Sequence, residues 1–193
     1  MRVHTVSDAD ATGAVRSIYE RELANRGYVP NFARLFSLNP AAYEAWGTLL
    51  GSIRDRMDLR RYELVTLAAA SVLRSRYCVS AHGAILESKF YARPELEAIT
   101  QDYRNAGLDA TDVAIMAFAE KVANNAFEIS SDDVESLRSR GLTDEDIFDV
   151  TLAAAARSFF SKTLDAMGAE PDDALAASAP LFDLIEAPAA SRP

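Results

Sequence analysis

The glycines and prolines of this chain, 8 and 7 of its 193 residues, fall between segments in which apolar side chains recur every three or four positions. Alternating, strand-like runs are missing from those segments, so the pattern predicts helices joined by short turns. From Leu59 to about Arg74, the positions Leu64, Leu67, Ala68, Ser71 and Val72 follow the spacing of a buried helical face. Thr143 with Asp146 forms the start signal of a long final helix that runs to about Met167 and stops at Gly168 and Pro171. Ahead of these, Ser7 or Asp8 is expected to cap a first helix through about Leu23 that ends near Gly27. Pro30 opens a short helix with Phe32, Leu35 and Phe36, and Asn39-Pro40 starts another with Tyr43, Trp46, Leu49 and Leu50 on one stripe. Further helices are expected from about Val79 to Phe90, from Pro94 to near Gly107, from Asp109 or Thr111 onward with Ile115, Phe118, Ala119 and Val122 on one face, and over SSDDVESL. The fold class is therefore all-α.

A hydrophobic content of 49% over this length can bury a substantial core, expected as one domain over residues 1–185, with EAPAASRP at 186–193 as a disordered tail. No apolar run approaches the roughly 18 residues that span a bilayer, and the first ten residues lack the apolar stretch of a secretory signal. The expectation is a cytoplasmic protein with no membrane partner. A formal charge of −9 repels phosphate backbones, which argues against a nucleic-acid partner. Residues 1–93 carry 13 basic and 9 acidic side chains, net +4, and residues 94–193 carry 7 and 20, net −13. The halves could attract one another, although charged helix faces are more often simply solvated.

The hexamer VTLAAA occurs at 65–70 and again at 150–155. Superposing the copies sets Phe148 against Glu63, Phe160 against Ser75, Thr163 against Cys78 and Met167 against His82. This hints at a duplicated helical unit in which only the first copy bears reactive side chains, while alanine-rich helices also repeat by chance.

Residues 75–83, SRYCVSAHG, hold the single cysteine and one of two histidines, four positions apart. A thiol reacts as its thiolate, which requires a helix N-terminus or nearby cations together with partial exposure. Arg74 and Arg76 lie just upstream. If the helix breaks near Ser75, Cys78 enters the first turn of the next helix, where backbone N–H groups favour negative charge. If the helix instead continues, the Ser75 hydroxyl at i−3 can donate a hydrogen bond to the sulfur. His82 at i+4 shares the helical face of Cys78 and can pass a proton to or from it. Glu63 stands at the head of an almost wholly apolar run, and a carboxylate held inside could act as a general base or relay toward His82. Against this, a free cysteine is usually buried and inert, and a histidine at helical spacing is often just a satisfied core or surface residue. One cysteine and two distant histidines offer too few ligands for a zinc or copper site, and one cysteine forms no intramolecular disulfide.

From Glu63 to His82 the chain reads E-x11-S-x2-C-x3-H. This resembles the E-x11-C-x2-C-x3-H pattern of the alkylhydroperoxidase D-like (AhpD-like) group, in its peroxidase-related branch, of the carboxymuconolactone decarboxylase superfamily. GYVPNFARLFSLNPAAYEAW and GLTDEDIFDVTLAAAARSFFSKTLDAMG are similar to the segments on either side, so the resemblance covers about residues 27 to 170. It implies an all-helical fold, assembly as a homo-oligomer, and an antioxidant thiol peroxidase that needs no metal or other cofactor. In that group the residue matching Cys78 is the one that meets the hydroperoxide, the residue matching Glu63 starts a proton relay and the residue matching His82 completes it, and the resemblance implies those roles for Cys78, Glu63 and His82 here. Ser75 stands where the group has its partner cysteine, so the intramolecular disulfide of the group cannot form here.

A sulfenic acid at Cys78 would then need an external thiol, or another subunit's Cys78, for its reduction. The expected activity is reduction of a hydroperoxide by Cys78, with Glu63 and His82 moving the proton and Ser75 holding the sulfur. Two rivals stand beside it: a decarboxylase-like lyase acting on a ring-derived acid with an incidental sulfur, and a redox sensor or structural oligomer without turnover.

Overall fold

Helix α4 (Leu59–Val72) is buried on every face from Tyr62 to Ala70, a wider burial than the single stripe its spacing announces. A helix with no polar face belongs at the centre of a bundle. In the computed structural model, which describes residues 1–186, α5 (Arg76–Lys89), α7 (Ala110–Asn125) and α9 (Asp144–Met167) pack around it. Ala68, Ala69 and Ala70 are buried there with minimal side chains, which permits close approach of the neighbouring helices.

Helices α1 (Gly13–Arg26), α2 (Asn31–Phe36) and α3 (Pro40–Arg54) cover the α9 side, α6 (Arg93–Asp102) and α8 (Ser131–Arg138) flank α5 and α7, and α10 (Leu181–Glu186) closes against α5 and α6. Two single 3₁₀ turns occur at Ala126–Glu128 and Asp173–Leu175. The described residues contain no strand, and none of their helices is long and apolar enough to cross a membrane. Helix α10 has no counterpart in the sequence reading. Of the tail expected over 186–193, Glu186 ends α10, and residues 187–193 lie outside the described residues.

Several start signals act as their chemistry dictates. Asn39 Oδ1 accepts the Ala42 N–H at 3.0 Å, and Thr143 and Asp146 cap α9 reciprocally, with N···O distances of 2.8 and 3.1 Å. Gly168 closes α9 in the left-handed conformation, φ 65°. The first helix differs from expectation. Ser7 closes a local turn with Asp10, Asp8 pairs with Arg34, and α1 starts only at Gly13. On α3, Leu49 is exposed, and Tyr43, Trp46 and Ile53 form the buried stripe, in keeping with 3.6 residues per turn.

The break between α4 and α5 sets up the site. The Ser75 N–H donates to the Ala70 carbonyl and the Arg74 N–H to the Ser71 carbonyl, both at 3.0 Å, a Schellman closure in which Arg74 takes the left-handed position at φ 57°. Glycine usually occupies that position, and an arginine there costs on the order of 1 kcal/mol. The second hexamer copy behaves differently. Helix α9 packs on α4, and the residues that match 73–75, namely 158–160, continue the helix without interruption.

Candidate active site

Because the chain turns at Arg74, α5 begins at Arg76 with Ser75 as its N-cap, and Cys78 falls in the first turn. This is three residues earlier than the spacing suggests. No side chain caps that turn. The positive end of the α5 dipole therefore lies close to the thiol. Tyr77 anchors the same turn by donating its hydroxyl proton to Asp172, which also accepts the Asn31 N–H at 2.7 Å.

Two helices bring the relay together. Glu63, one turn into α4 and buried, lies 2.6 Å from the Nδ1 of buried His82 on α5. Burial, followed by the charge of Arg157, pushes the His82 imidazole below its usual value, with Glu63 working in the opposite direction. The ring is accordingly neutral near pH 7. With Glu63 as a carboxylate, which only accepts, the 2.6 Å contact assigns the single ring proton of the neutral imidazole to Nδ1 and leaves Nε2 to act as a base.

The sulfur faces a cation that the sequence reading did not identify. Arg157 of α9 is 4% exposed, and its Nη1 lies 3.6 Å from Cys78 Sγ. It also interacts electrostatically with Tyr62 and lies over the Phe160 ring at 5.4 Å. Burial opposes its charge, but Cys78 and Tyr62 together keep its pKa above the usual value. The two arginines expected to serve the thiol are placed elsewhere. Arg76 stacks over Phe182 at 4.5 Å and pairs with Asp183 on α10, and Arg74 is exposed at the break. Ser75 is fully buried, but its hydroxyl donates to Asp165 Oδ1 at 3.1 Å. The helix stops at Ser75 instead of passing through it, so the condition under which it would hold the sulfur is not met. Arg157 occupies that role.

Cys78, His82, Glu63, Tyr62 and Arg157 all line one cavity of about 630 Å³. One wall is aromatic: Trp46 and Phe160 stack at 4.9 Å, and Phe32 meets Phe160 edge-on at 5.6 Å. The exposed rim carries Arg21 paired with Glu44, Arg26 paired with Glu22, and Arg54. A sulfur, a neutral imidazole and a buried guanidinium lining one such cavity can support nucleophilic attack with proton transfer. Arg157 could have been found by the reasoning that singled out Glu63. It is a charge on the same helical face as Val150, Ala153, Ala154, Phe160 and Leu164, all buried.

No family model matches the sequence, and no curated protein matches it. Among solved structures it is similar to the AhpD core of an uncharacterized peroxidase-related protein from Ralstonia eutropha JMP134. That match has a TM-score of 0.82 and 24% identity over 90% of this chain and 93% of the other. A second uncharacterized peroxidase-related protein, from Silicibacter sp. TM1040, gives 0.77 and 22% over 91% of each chain. A third is the debrominase Bmp8, as a cysteine-to-alanine variant in complex with 2,3,4-tribromopyrrole, at 0.77 and 18% over 96% and 97%. The chain has the AhpD-like all-helical fold.

Proposed function

We propose that this protein is a one-cysteine hydroperoxide reductase. The observation that carries the proposal is the convergence on one cavity of the Glu63–His82 pair at 2.6 Å and the Arg157–Cys78 contact at 3.6 Å. His82 Nε2 takes the thiol proton, and the guanidinium favours negative charge on the sulfur that remains. The sulfur attacks the outer oxygen of a hydroperoxide. An S–O bond forms, the O–O bond breaks, and the leaving alkoxide takes the proton from His82 to become an alcohol. Cys78 is oxidised to the sulfenic acid and the hydroperoxide is reduced, so the atoms and electrons balance. With no second cysteine in the chain, an external thiol completes the cycle. Likeness to two peroxidase-related structures is consistent with this reading.

The test is consumption of an organic hydroperoxide in the presence of excess thiol. Activity is expected in the native chain, none in Cys78→Ser, and a loss of about a hundredfold or more in His82→Gln, the usual contribution of a general acid–base group. Unchanged rates in either variant would remove the assignment. A second reading, removal of halogen from a planar ring, is favoured by the Trp46–Phe160 wall and by likeness to the debrominase. Bromide release from a brominated pyrrole under the same conditions would support it.

A further inference from the structure

The peroxidase reading leaves open what reduces the oxidised sulfur, and the shape of the site narrows the answer. We infer that the reductant is a low-molecular-weight thiol bearing a carboxylate, which enters the same cavity and is held at its rim by Arg54. The inference rests on the proposed peroxide chemistry and adds the identity class of the second substrate.

Three observations carry it. Cys78 is the only cysteine, so no thiol within the chain can reach its sulfenic acid. The residue is 1% exposed and lines the cavity together with Trp46 and Phe160, themselves buried. An attacking sulfur must arrive in line with the S–O bond, and a cysteine fixed on the convex surface of a folded partner is poorly shaped to reach a sulfur that is 1% exposed. A cavity of about 630 Å³ instead accommodates a molecule the size of a short peptide. The third observation concerns charge at the entrance. Arg21 and Arg26 are each neutralised by a carboxylate, Glu44 and Glu22, whereas Arg54 has no ion-pair partner among the described residues. An exposed guanidinium on the rim of a cavity is suited to holding a carboxylate in bidentate fashion.

The steps balance. The first small thiol attacks Cys78–S–OH, an S–S bond forms, and the hydroxyl leaves with the thiol proton as water. A second thiol attacks the outer sulfur of the mixed disulfide. Cys78 leaves as a thiolate beside Arg157, and the two small thiols leave as their disulfide.

The experiment separates the two half-reactions. Protein treated with one equivalent of hydroperoxide is freed of excess oxidant, and sulfenic acid is confirmed by intact mass. Glutathione, mercaptopropionate, cysteamine or reduced thioredoxin is then added, and rates are compared per thiolate. The carboxylate thiols are expected to discharge the sulfenic acid at least about tenfold faster than cationic cysteamine, through a mixed disulfide visible by mass, and Arg54→Ala should abolish the difference. Thioredoxin reacting as fast as glutathione, or cysteamine matching the carboxylate thiols, would overturn the inference. Absence of sulfenic acid after the first addition condemns the peroxidase reading instead. Entry of the thiol is then read from exchange of reduced Cys78 with an anionic aromatic disulfide against a neutral one. Preference for the anionic reagent, lost in Arg54→Ala, supports the carboxylate site, and no preference refutes it.

Discussion

Arg157 and Cys78 are 79 positions apart in sequence and 3.6 Å apart in the folded chain, at the point where the uninterrupted helix α9 passes the broken junction of α4 and α5. A buried guanidinium is costly unless its charge is used. Two of its neighbours, Tyr62 and Cys78, help to hold that charge, while its Nε has no hydrogen-bond partner among the described residues. The arrangement is what an anionic sulfur needs and what stability alone does not favour.

Replacing Arg157 with methionine should therefore separate reactivity from stability. A unit charge pair about 4 Å apart near a protein surface is worth on the order of 4 kcal/mol. Alkylation of Cys78 at pH 7 should slow by at least about tenfold, while the urea midpoint stays level or rises, because apolar replacements of buried charges are often neutral or stabilising. Iodoacetamide kinetics and urea titration read the two effects. An unchanged alkylation rate would show that the guanidinium does not act on the sulfur.

The His82 ring titrates below the ordinary imidazole value, chiefly because it is buried and then because Arg157 is near, with Glu63 pulling upward. Loss of Arg157 should thus raise that titration point, and Glu63→Gln should lower it further. With only His4 and His82 in the chain, the imidazole resonances are simple to assign by proton NMR.

The same shift fixes the pH dependence of stability. A histidine whose value is depressed on folding binds its proton more readily in the unfolded chain, so stability falls as pH drops below the unfolded value of about 6.5. The slope from this one group is at most about 1.4 kcal/mol per pH unit. His82→Gln should flatten the fall of the urea midpoint below about pH 6.5 relative to the native chain. An unchanged slope would mean that His82 protonates as easily folded as unfolded.

Glu63→Gln retains a carbonyl oxygen that can accept from Nδ1 but removes the negative charge. Peroxide turnover should fall without loss of fold, because the neutral amide no longer stabilises the protonated ring. Circular dichroism alongside the rate assay checks this, and a rate equal to that of the native chain would reduce Glu63 to a structural role.

Much of this was legible in the sequence because helix period and end signals are local. The stripe of α4, the caps at Asn39 and Thr143 and the stop at Gly168 each depend on residues within one or two turns. The pairing of Glu63 with His82 was also within reach, since both stand out as polar groups in apolar surroundings. The left-handed Arg74 was not, because the usual glycine signal is missing there and tertiary packing sets the turn. Arg157 stands out in sequence as a charge on an apolar helical face, but its pairing with the sulfur was not legible, because only the crossing of α9 over α5 brings the two together. Arg74 and Arg76, adjacent in sequence, appeared the better sources of charge. Chain direction after a break decides where such side chains go, and here it sends Arg76 to Asp183.

The junction itself supplies the last prediction. Ser75 and Cys78 bracket the first turn of α5, one as N-cap and the other three residues on, a separation at which two sulfurs can approach bonding geometry. The Ser75 hydroxyl is buried and directed to Asp165, whose carboxyl is pushed up by burial and drawn down less by that hydrogen bond. Substituting cysteine removes the hydrogen bond and frees the new side chain to turn toward Cys78. Ser75→Cys should form an intramolecular disulfide under mild oxidation, read as the loss of both free thiols and of two hydrogens in intact mass. The variant should then turn over hydroperoxide with a dithiol reductant in preference to monothiols, because the first sulfenic acid is resolved within the chain. Persistence of two titratable thiols after oxidation would show that these positions face apart, and the requirement for an external thiol would then follow from geometry as well as from the missing second cysteine.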